Sequence, residues 1–231
     1  MKIKILDNHK IDYTIRRSKR NKITIKINPI GKVNILVPRI VSASDVNQVV
    51  EKNIDWIKKT REKVIPLERK FITGEDYLFL GKKYQIEVII SKYEKVYIMN
   101  DKLFLYTSSD DLNHKKRIIE NWIKDMVEMT FSEIFNKCFQ EMEPYLKSYP
   151  KLLVKRYRSR WGCCYPTRNT IILNDKLIHL PVYLIRYVIM HEMSHLLFPS
   201  HNQDFHRFLQ SFIPNELECR RDLRKYSVYY E

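Results

Sequence analysis

The sequence predicts an α+β protein with a β-rich N-terminal region and a helical C-terminal region. Apolar and polar residues alternate at a period of two through the first third of the 231-residue chain, which is typical of strands. From about Asp111 the apolar period changes to 3.6, which is typical of helices. Hydrophobic residues make up 44% of the chain, enough for a folded core. We therefore expect one region over residues 1–108 and a second over residues 109–231.

The N-terminal region begins with a predicted sheet. Ile23, Ile25 and Ile27 alternate with lysine and threonine, and a second alternating run covers residues 33–37. Between them, the segment Asn28-Pro29-Ile30-Gly31 has the proline and glycine of a turn. Because every second side chain is apolar, we expect a half-buried antiparallel sheet with its lysines facing solvent.

One helix and several short strands should follow this sheet. Apolar residues recur at helical spacing from Val46 to Ile57, with Ser44 as the predicted N-cap, and the pattern stops before Pro66. Strand-like runs then cover residues 84–90, 95–99 and 103–107.

The C-terminal region opens with a long predicted helix. Eight apolar side chains between Ile119 and Cys138 fall on one helical face, and the pattern ends before Pro144. A short strand is expected over residues 170–174, directly before the next helical pattern.

Charge is distributed unevenly along the chain. Lys and Arg number 42 against 27 Asp and Glu, a formal net charge of +15. Residues 1–70 hold 18 Lys/Arg and 7 Asp/Glu, residues 71–150 hold 11 and 13, and residues 151–231 hold 13 and 7. The basic N-terminal region could therefore contact nucleic acid, although solvated lysine-rich strands are the plainer explanation.

Several protein classes are disfavoured by composition. No apolar run approaches the roughly 18 residues of a membrane span, and no hydrophobic signal region follows Met1. Four cysteines without a C-x-x-C pair indicate reduced thiols rather than a disulfide framework or a cysteine-ligated zinc site. We therefore expect a cytoplasmic protein without membrane contact.

The clearest chemical signal lies between Pro181 and Leu197. Pro181 suits the first position of a helix, and apolar residues follow it at helical spacing. Within this helix stands the run His191-Glu192-Met193-Ser194-His195. Histidines at i and i+4 project from one helix face, so both imidazoles can bind one metal ion with Glu192 beside them. The run is an H-E-x-x-H motif, and it predicts a zincin-like catalytic helix.

A third ligand is expected just beyond this helix, which should end near Phe198-Pro199. Ser200 and Gln203 form a capping-box pattern for the next helix. His201 lies six residues after His195, far enough for the chain to turn and return a histidine to the metal. His201 is therefore the first candidate. The others, in order, are His206, then Glu216 or Glu218.

These residue types suit metal-assisted hydrolysis. Neutral imidazole is a good ligand for Zn²⁺, three protein ligands leave a position for water, and the metal lowers the pKa of that water to about 7. Glu192 could accept the proton of the water as it attacks a polarised carbonyl and then pass it to the leaving amine. Zinc is the preferred metal, although other divalent ions also bind imidazole. An accidental motif is disfavoured, because an unpaired carboxylate between Ile189 and Met193 would be costly in a core.

A second informative segment lies upstream. Arg158-Ser159-Arg160-Trp161-Gly162-Cys163-Cys164 precedes a strand-like run that ends in Leu173-Asn174. With the H-E-x-x-H helix and the later His201 and Phe205, these residues resemble the YgjP-like metallopeptidases, zinc-dependent hydrolases related more distantly to the SprT-like and WLM proteases. The resemblance covers nearly the whole chain. Its other segments are residues 16–20, Gly31, Val37-Pro38-Arg39, Asp55-Trp56-Ile57 and residues 80–83.

The resemblance implies a role for individual residues. His191 and His195 match the paired metal ligands, Glu192 the general base, His201 the third ligand, and Phe205 an aromatic position of the family. Two residues depart from the pattern. Cys163 stands where the family usually has serine, and His206 stands where a tryptophan usually follows the phenylalanine. The second departure keeps His206 as a candidate substrate contact or alternative ligand.

Together these observations predict a zinc-dependent metallopeptidase that acts on a protein or peptide, with Glu192 as general base. An extended peptide could pair with a strand at the cleft. The alternative is a nucleic-acid-associated protein with a structural metal site and a basic N-terminal surface. Tyr13 is the only aromatic residue before Trp56, so no base-stacking platform is predicted there. The substrate, the oxyanion-stabilising residue and the oligomeric state stay open.

Overall fold

The computed structural model describes residues 3–6, 11–27, 33–62, 69–157 and 160–227. The predicted turn at residues 28–31, Pro66 and the pair Arg158-Ser159 lie outside these ranges. Most strands fall in the first half of the chain and most helices in the second, which confirms the predicted α+β class. Internal contacts divide the molecule into two units, residues 1–69 with 225–231, and residues 70–224.

The first unit contains a mixed four-stranded sheet in the order β1-β2-β4-β3. Its strands are β1 (Ile3–Leu6), β2 (Ile11–Ser18), β3 (Thr24–Ile27) and β4 (Val33–Pro38). β2 pairs with β4 in parallel and the other pairs are antiparallel, so the prediction of a purely antiparallel sheet was wrong. Val33, Ile35 and Val37 are fully buried, which explains why β4 takes a central place.

Two helices, rather than the predicted single one, pack on this sheet. They are α1 (Ala43–Lys52) and α2 (Ile54–Glu62), separated at Asn53. The N-cap is Ser42 instead of Ser44. The Ser42 hydroxyl accepts a hydrogen bond from the Asp45 amide at 3.1 Å, and the Asp45 carboxylate accepts one from the Ser42 amide at 3.2 Å. This capping box starts α1 and directs its apolar face onto the core of the unit.

The second unit begins with another four-stranded sheet, in the order β5-β6-β8-β7. Its strands are β5 (Asp76–Phe79), β6 (Lys82–Ile90), β7 (Lys95–Met99) and β8 (Lys102–Thr107). The three predicted strands are present, and β5 is an additional one. The long predicted helix is α3 (Leu112–Met142), capped by Asp111 and packed against β7 and β8.

The units divide near residue 70, whereas the sequence placed the boundary after residue 108. The reason is that the turn after β5 is bonded to the C-terminal half of the chain. The Leu80 amide donates to the Ile178 carbonyl at 2.9 Å, and the Gly81 amide donates to the His179 carbonyl at 3.1 Å. Gly81 has φ +79°, and a Cβ at this position would lie 2.6 Å from Pro181 Cγ. Only glycine fits at residue 81, because its backbone lies against Pro181, the residue before the helix Val182–Ser194.

The C-terminal part combines a three-stranded sheet with three helices. The strands β9 (Lys151–Lys155), β10 (Gly162–Tyr165) and β11 (Thr170–Asn174) lie in the order β10-β11-β9. The central strand β11, which was predicted, is buried along its whole length. The helices are α4 (Val182–Ser194), α5 (Gln203–Phe212) and α6 (Glu216–Ser227). In the described part of the chain, no helix has the length and apolarity needed to cross a membrane.

Candidate metal centre

Helix α4 carries the first two candidate ligands, His191 and His195. Pro181 occupies its N-cap rather than its first helical position. The helix ends at Ser194, but His195 keeps helical dihedral angles (φ −68°, ψ −14°), so the i, i+4 relation between the two histidines is preserved. Between them, the Glu192 side chain is turned into the protein and is 7% exposed.

The turn after α4 returns His201 to the same place. The Phe198 amide donates to the Ser194 carbonyl at 2.9 Å, and this bond begins the reversal of the chain. The next helix is capped by Asn202, not by Ser200 as predicted. The Asn202 side chain accepts a hydrogen bond from the Phe205 amide at 2.9 Å. His201 therefore lies one residue before the cap of α5.

Three imidazole nitrogens converge at this point. His201 Nε2 lies 3.0 Å from His191 Nε2 and 3.1 Å from His195 Nε2. The three ligand atoms all lie within 4.8 Å of one another. A tetrahedral zinc ion with Zn–N bonds of about 2.05 Å would separate its nitrogens by about 3.3 Å, close to the observed distances. The donor set, three imidazoles, therefore fits a zinc-type ion.

The surroundings of the rings orient them for this arrangement. The Phe198 carbonyl accepts a hydrogen bond from His195 Nδ1 at 2.9 Å, which leaves Nε2 of that ring with its lone pair free. Nδ1 of His191 is buried and has no hydrogen-bond partner among the described residues. The fully buried Phe205 ring packs under all three imidazoles, with centroids 5.0, 4.7 and 4.8 Å from those of His191, His195 and His201.

Electrostatics favour the neutral imidazole, which is the form that binds metal. Burial lowers the pKa of His191 to about 3, and the neighbouring His195 and His201 act in the same direction. Burial, together with His195, also lowers the pKa of His201.

The Glu192 carboxyl is buried beside this cluster. Burial raises the pKa of Glu192 to about 7, and the positive charge of Arg160 opposes this effect in part. A Cβ built on Gly162 would lie 2.8 Å from both Cγ and Oε1 of Glu192. The backbone of β10 therefore passes directly over the carboxyl group, and it can do so because residue 162 has no side chain.

Strand β10 forms one wall of the cleft. Residues 162 and 164 face Glu192. Burial raises the pKa of the Cys164 thiol to about 12, and the charge of Glu192 acts in the same direction. The Cys163 Sγ instead lies 3.5 Å from the Tyr157 hydroxyl. The cleft has a volume of about 460 Å³, and its lining residues are Gly162, Cys163, Cys164, Pro166, His191, Glu192, His195, Pro199 and His201.

Asn174 anchors the segment that leads into β10. Its buried side-chain amide donates to the Arg160 carbonyl at 2.7 Å and to the Tyr157 carbonyl at 3.0 Å. Its backbone amide donates to the Trp161 carbonyl at 2.8 Å. In the sequence, Leu173-Asn174 stand out only through the family resemblance. A polar residue at the end of an apolar strand is the signal that could have pointed to this role.

The other candidates for the third ligand lie apart from the histidine cluster. His206 Nδ1 donates to the buried Glu216 carboxylate at 2.9 Å, although the His206 and His201 rings are stacked with centroids 6.3 Å apart. Glu218 is exposed and lies 3.9 Å from Arg221. The structure thus brings together His191, His195 and His201, with Glu192 beside them.

Comparisons with known proteins identify a family for this chain. The family model described as YgjP-like, metallopeptidase domain, matches residues 21–226. The chain is also similar to two solved metallopeptidase zymogens, abylysin of Pyrococcus abyssi and jannalysin of Methanocaldococcus jannaschii. Abylysin is 16% identical with a TM-score of 0.38, over 41% of this chain and 92% of abylysin. Jannalysin is 19% identical with a TM-score of 0.37, over 41% of this chain and 94% of jannalysin. No curated protein sequence matched significantly.

Proposed function

This chain belongs to the YgjP-like metallopeptidase family, and we propose that it is a zinc-dependent peptidase with His191, His195 and His201 as metal ligands and Glu192 as general base. The convergence of three imidazole nitrogens within 4.8 Å beside a buried carboxyl group carries this proposal. Ligands of this type and number are those of catalytic zinc sites, in which one position stays open.

In the proposed reaction, Glu192 transfers the proton from water to the leaving amine during peptide hydrolysis. Bound Zn²⁺ would polarise the scissile carbonyl and lower the pKa of water. The Glu192 carboxylate accepts a proton from the attacking water and later delivers it to the leaving amine. In the metal-free protein, burial raises the pKa of Glu192 to about 7, so the surroundings of this carboxyl group favour proton uptake.

The free edge of β10 supports a peptide as the substrate. β10 is the last strand of its sheet, with β11 on one side and no strand on the other among the described residues. Along an antiparallel pair, residues whose backbone groups bond to the partner strand alternate with residues whose groups point away from it. Trp161 bonds to Asn174 of β11, so the backbone groups of Gly162 and Cys164 point away from β11. An extended peptide that pairs with these groups would run past Glu192.

Metal analysis and proteolysis of a denatured substrate test this function. We expect the purified protein to bind one zinc ion and to cleave reduced, carboxymethylated casein, with fragments identified by mass spectrometry. Glu192→Gln should keep the zinc and lose about 10²- to 10⁴-fold in cleavage rate. His191→Ala should lose the zinc. Full activity of Glu192→Gln would contradict the role of Glu192, and stoichiometric zinc in His191→Ala would contradict the ligand set.

We also propose that the first unit contacts nucleic acid through one edge of its sheet. Residues 13–44 contain eight Lys and Arg and no Asp or Glu. This edge is the one at which β2 and β4 end. Because the two strands are parallel, the segments that follow them, residues 19–23 and 39–42, both lie there. Lys19, Lys22 and Arg39 are exposed at this edge. A surface of this charge favours phosphates.

The salt dependence of DNA binding tests this second proposal. We expect the affinity for a duplex of about 30 base pairs to fall steeply with salt, and the joint replacement of Lys19, Lys22 and Arg39 by Gln to reduce the slope by about three. The matched control replaces three exposed lysines of α1 and α2, Lys52, Lys58 and Lys59. An equal slope for the two triple variants would contradict a role for this edge.

A further inference from the structure

A second buried carboxylate, Glu216, lies near the histidine cluster but outside it. Glu216 is 1% exposed and stands at the start of α6. Its carboxylate accepts hydrogen bonds from Arg220 Nη2 at 2.7 Å, His206 Nδ1 at 2.9 Å and Gln210 Nε2 at 3.1 Å. His206 and Gln210 belong to α5, so this carboxylate joins α5 to α6. A buried carboxylate with three donors is satisfied, and removing it would leave those donors unpaired.

The same group connects to α4 through Arg220. The Arg220 guanidinium acts on the Tyr187 hydroxyl and partly opposes the rise that burial causes in the pKa of Tyr187. Tyr187 is buried on α4 one turn before His191, and the centroids of their rings are 5.9 Å apart. Glu216 and Arg220 therefore link α6 both to α5 and to the helix that carries His191.

These contacts surround the segment that carries His201. His201 precedes the N-cap of α5, and its ring stacks on that of His206, which Glu216 holds. Phe205, in the first turn of α5, packs against all three candidate ligands. The position of α5 relative to α4 thus decides whether His201 Nε2 can approach the nitrogens of His191 and His195.

We propose that Glu216 is a positioning residue of the metal centre. By holding His206 and Arg220, it fixes α5 against α4 and keeps His201 within reach of the other two ligands. This inference rests on the proposed function. Glu216 is not proposed as a ligand, because its carboxylate accepts hydrogen bonds from three side chains and the group of three converging ligand atoms found in the described residues contains only histidines.

Zinc affinity of folded variants tests the proposal. Glu216→Gln keeps the shape of the side chain but loses its charge, and Glu218→Gln is the matched control, an exposed carboxylate on the same helix. We measure the zinc dissociation constant by chelator competition, the visible spectrum of the Co²⁺-loaded protein and the unfolding midpoint of the metal-free protein. We expect Glu216→Gln to bind zinc about 10- to 100-fold more weakly with an altered Co²⁺ spectrum, and Glu218→Gln to match the wild type.

The outcomes separate this inference from the proposed function. If the wild-type protein binds no divalent metal, both fail. If the wild type binds zinc and folded Glu216→Gln has the same dissociation constant and spectrum, only the role of Glu216 fails, even where its unfolding midpoint falls. Should Glu216→Gln not fold, His206→Phe is measured in its place. This substitution keeps an aromatic ring at residue 206 but removes the hydrogen-bond donor to Glu216. Weaker zinc binding by this variant supports the proposal, and unchanged binding overturns it.

Discussion

The Cβ position of Gly162 lies 2.8 Å from the Glu192 Oε1 atom, closer than any side chain permits. The backbone of β10, at the border of the cleft, therefore packs directly against the Glu192 side chain of α4. Residue 162 lies in regular pairing with Leu173 on β11, so the glycine is required for clearance rather than for a bulge. This contact explains why a glycine stands at the start of β10.

Gly162→Ala should therefore impair catalysis while metal binding persists. The added methyl group must displace the Glu192 carboxyl or the strand, and a misplacement of about 1 Å can cost about 100-fold in rate. We expect kcat/KM for peptide cleavage to fall by about that factor with zinc content unchanged. Thr167→Ala, an exposed position in the turn after β10, serves as the control. Wild-type kcat/KM in Gly162→Ala would show that the contact is not needed.

His201→Ala and His206→Ala should differ in metal content. His201 Nε2 lies within 3.1 Å of both other candidate ligand nitrogens, whereas His206 Nδ1 is bonded to Glu216. We expect His201→Ala to lose stoichiometric zinc and His206→Ala to retain it when zinc is saturating. Elemental analysis after gel filtration in buffer that contains saturating zinc, corrected for the zinc of the buffer, measures both. The reverse result would identify His206 as the third ligand.

The metal-free protein should lose stability as the pH rises towards neutrality, because of Glu192. Its pKa is about 7 in the folded protein and 4.5 in the unfolded chain, so the folded state holds a proton that the unfolded state releases between these values. Glu192→Gln abolishes this loss. We expect the variant to exceed the wild type in free energy of unfolding by on the order of 3 kcal/mol at about pH 8, and by little at about pH 4.

Urea unfolding of the two metal-free proteins measures this difference. The contribution of His191 has the opposite sign, since its lowered pKa makes stability fall as the pH drops below 6.5. His191 is present in both proteins, so its contribution largely cancels in the comparison. A difference between the two proteins that does not change with pH would contradict the burial of an ionisable Glu192.

Asn174→Ala should destabilise the protein and disturb the cleft together. The substitution leaves the carbonyls of Tyr157 and Arg160 without their donor, at a cost of about 2 kcal/mol, and frees the segment that leads into β10. We expect a lower unfolding midpoint and a reduced kcat. Lys155→Ala, at the exposed residue paired with Asn174 on β9, should change neither. An unchanged kcat in Asn174→Ala would limit its role to stability.

Most of the local structure could be predicted from periodicity. The strands β6, β7 and β8 and the helix α3 follow their apolar patterns, since the side chains that pack on a core repeat with the backbone geometry. Other features were predicted incorrectly or missed. The parallel pairing of β2 with β4 joins strands that are separated in the sequence. The helix break at Asn53 and the cap at Asn202 rest on local hydrogen bonds, and periodicity of apolar residues does not report them.

The sequence by itself determined that His191 and His195 share one helix face with Glu192 between them, because the helical period places residues i and i+4 together. Only the tertiary structure decided which further histidine meets them. The turn after α4 and the cap at Asn202 bring His201 to the pair, and the buried Glu216 holds the His206 Nδ1 atom. The contact between Gly162 and Glu192 was equally beyond sequence, because it joins residues thirty positions apart through the packing of a strand on a helix.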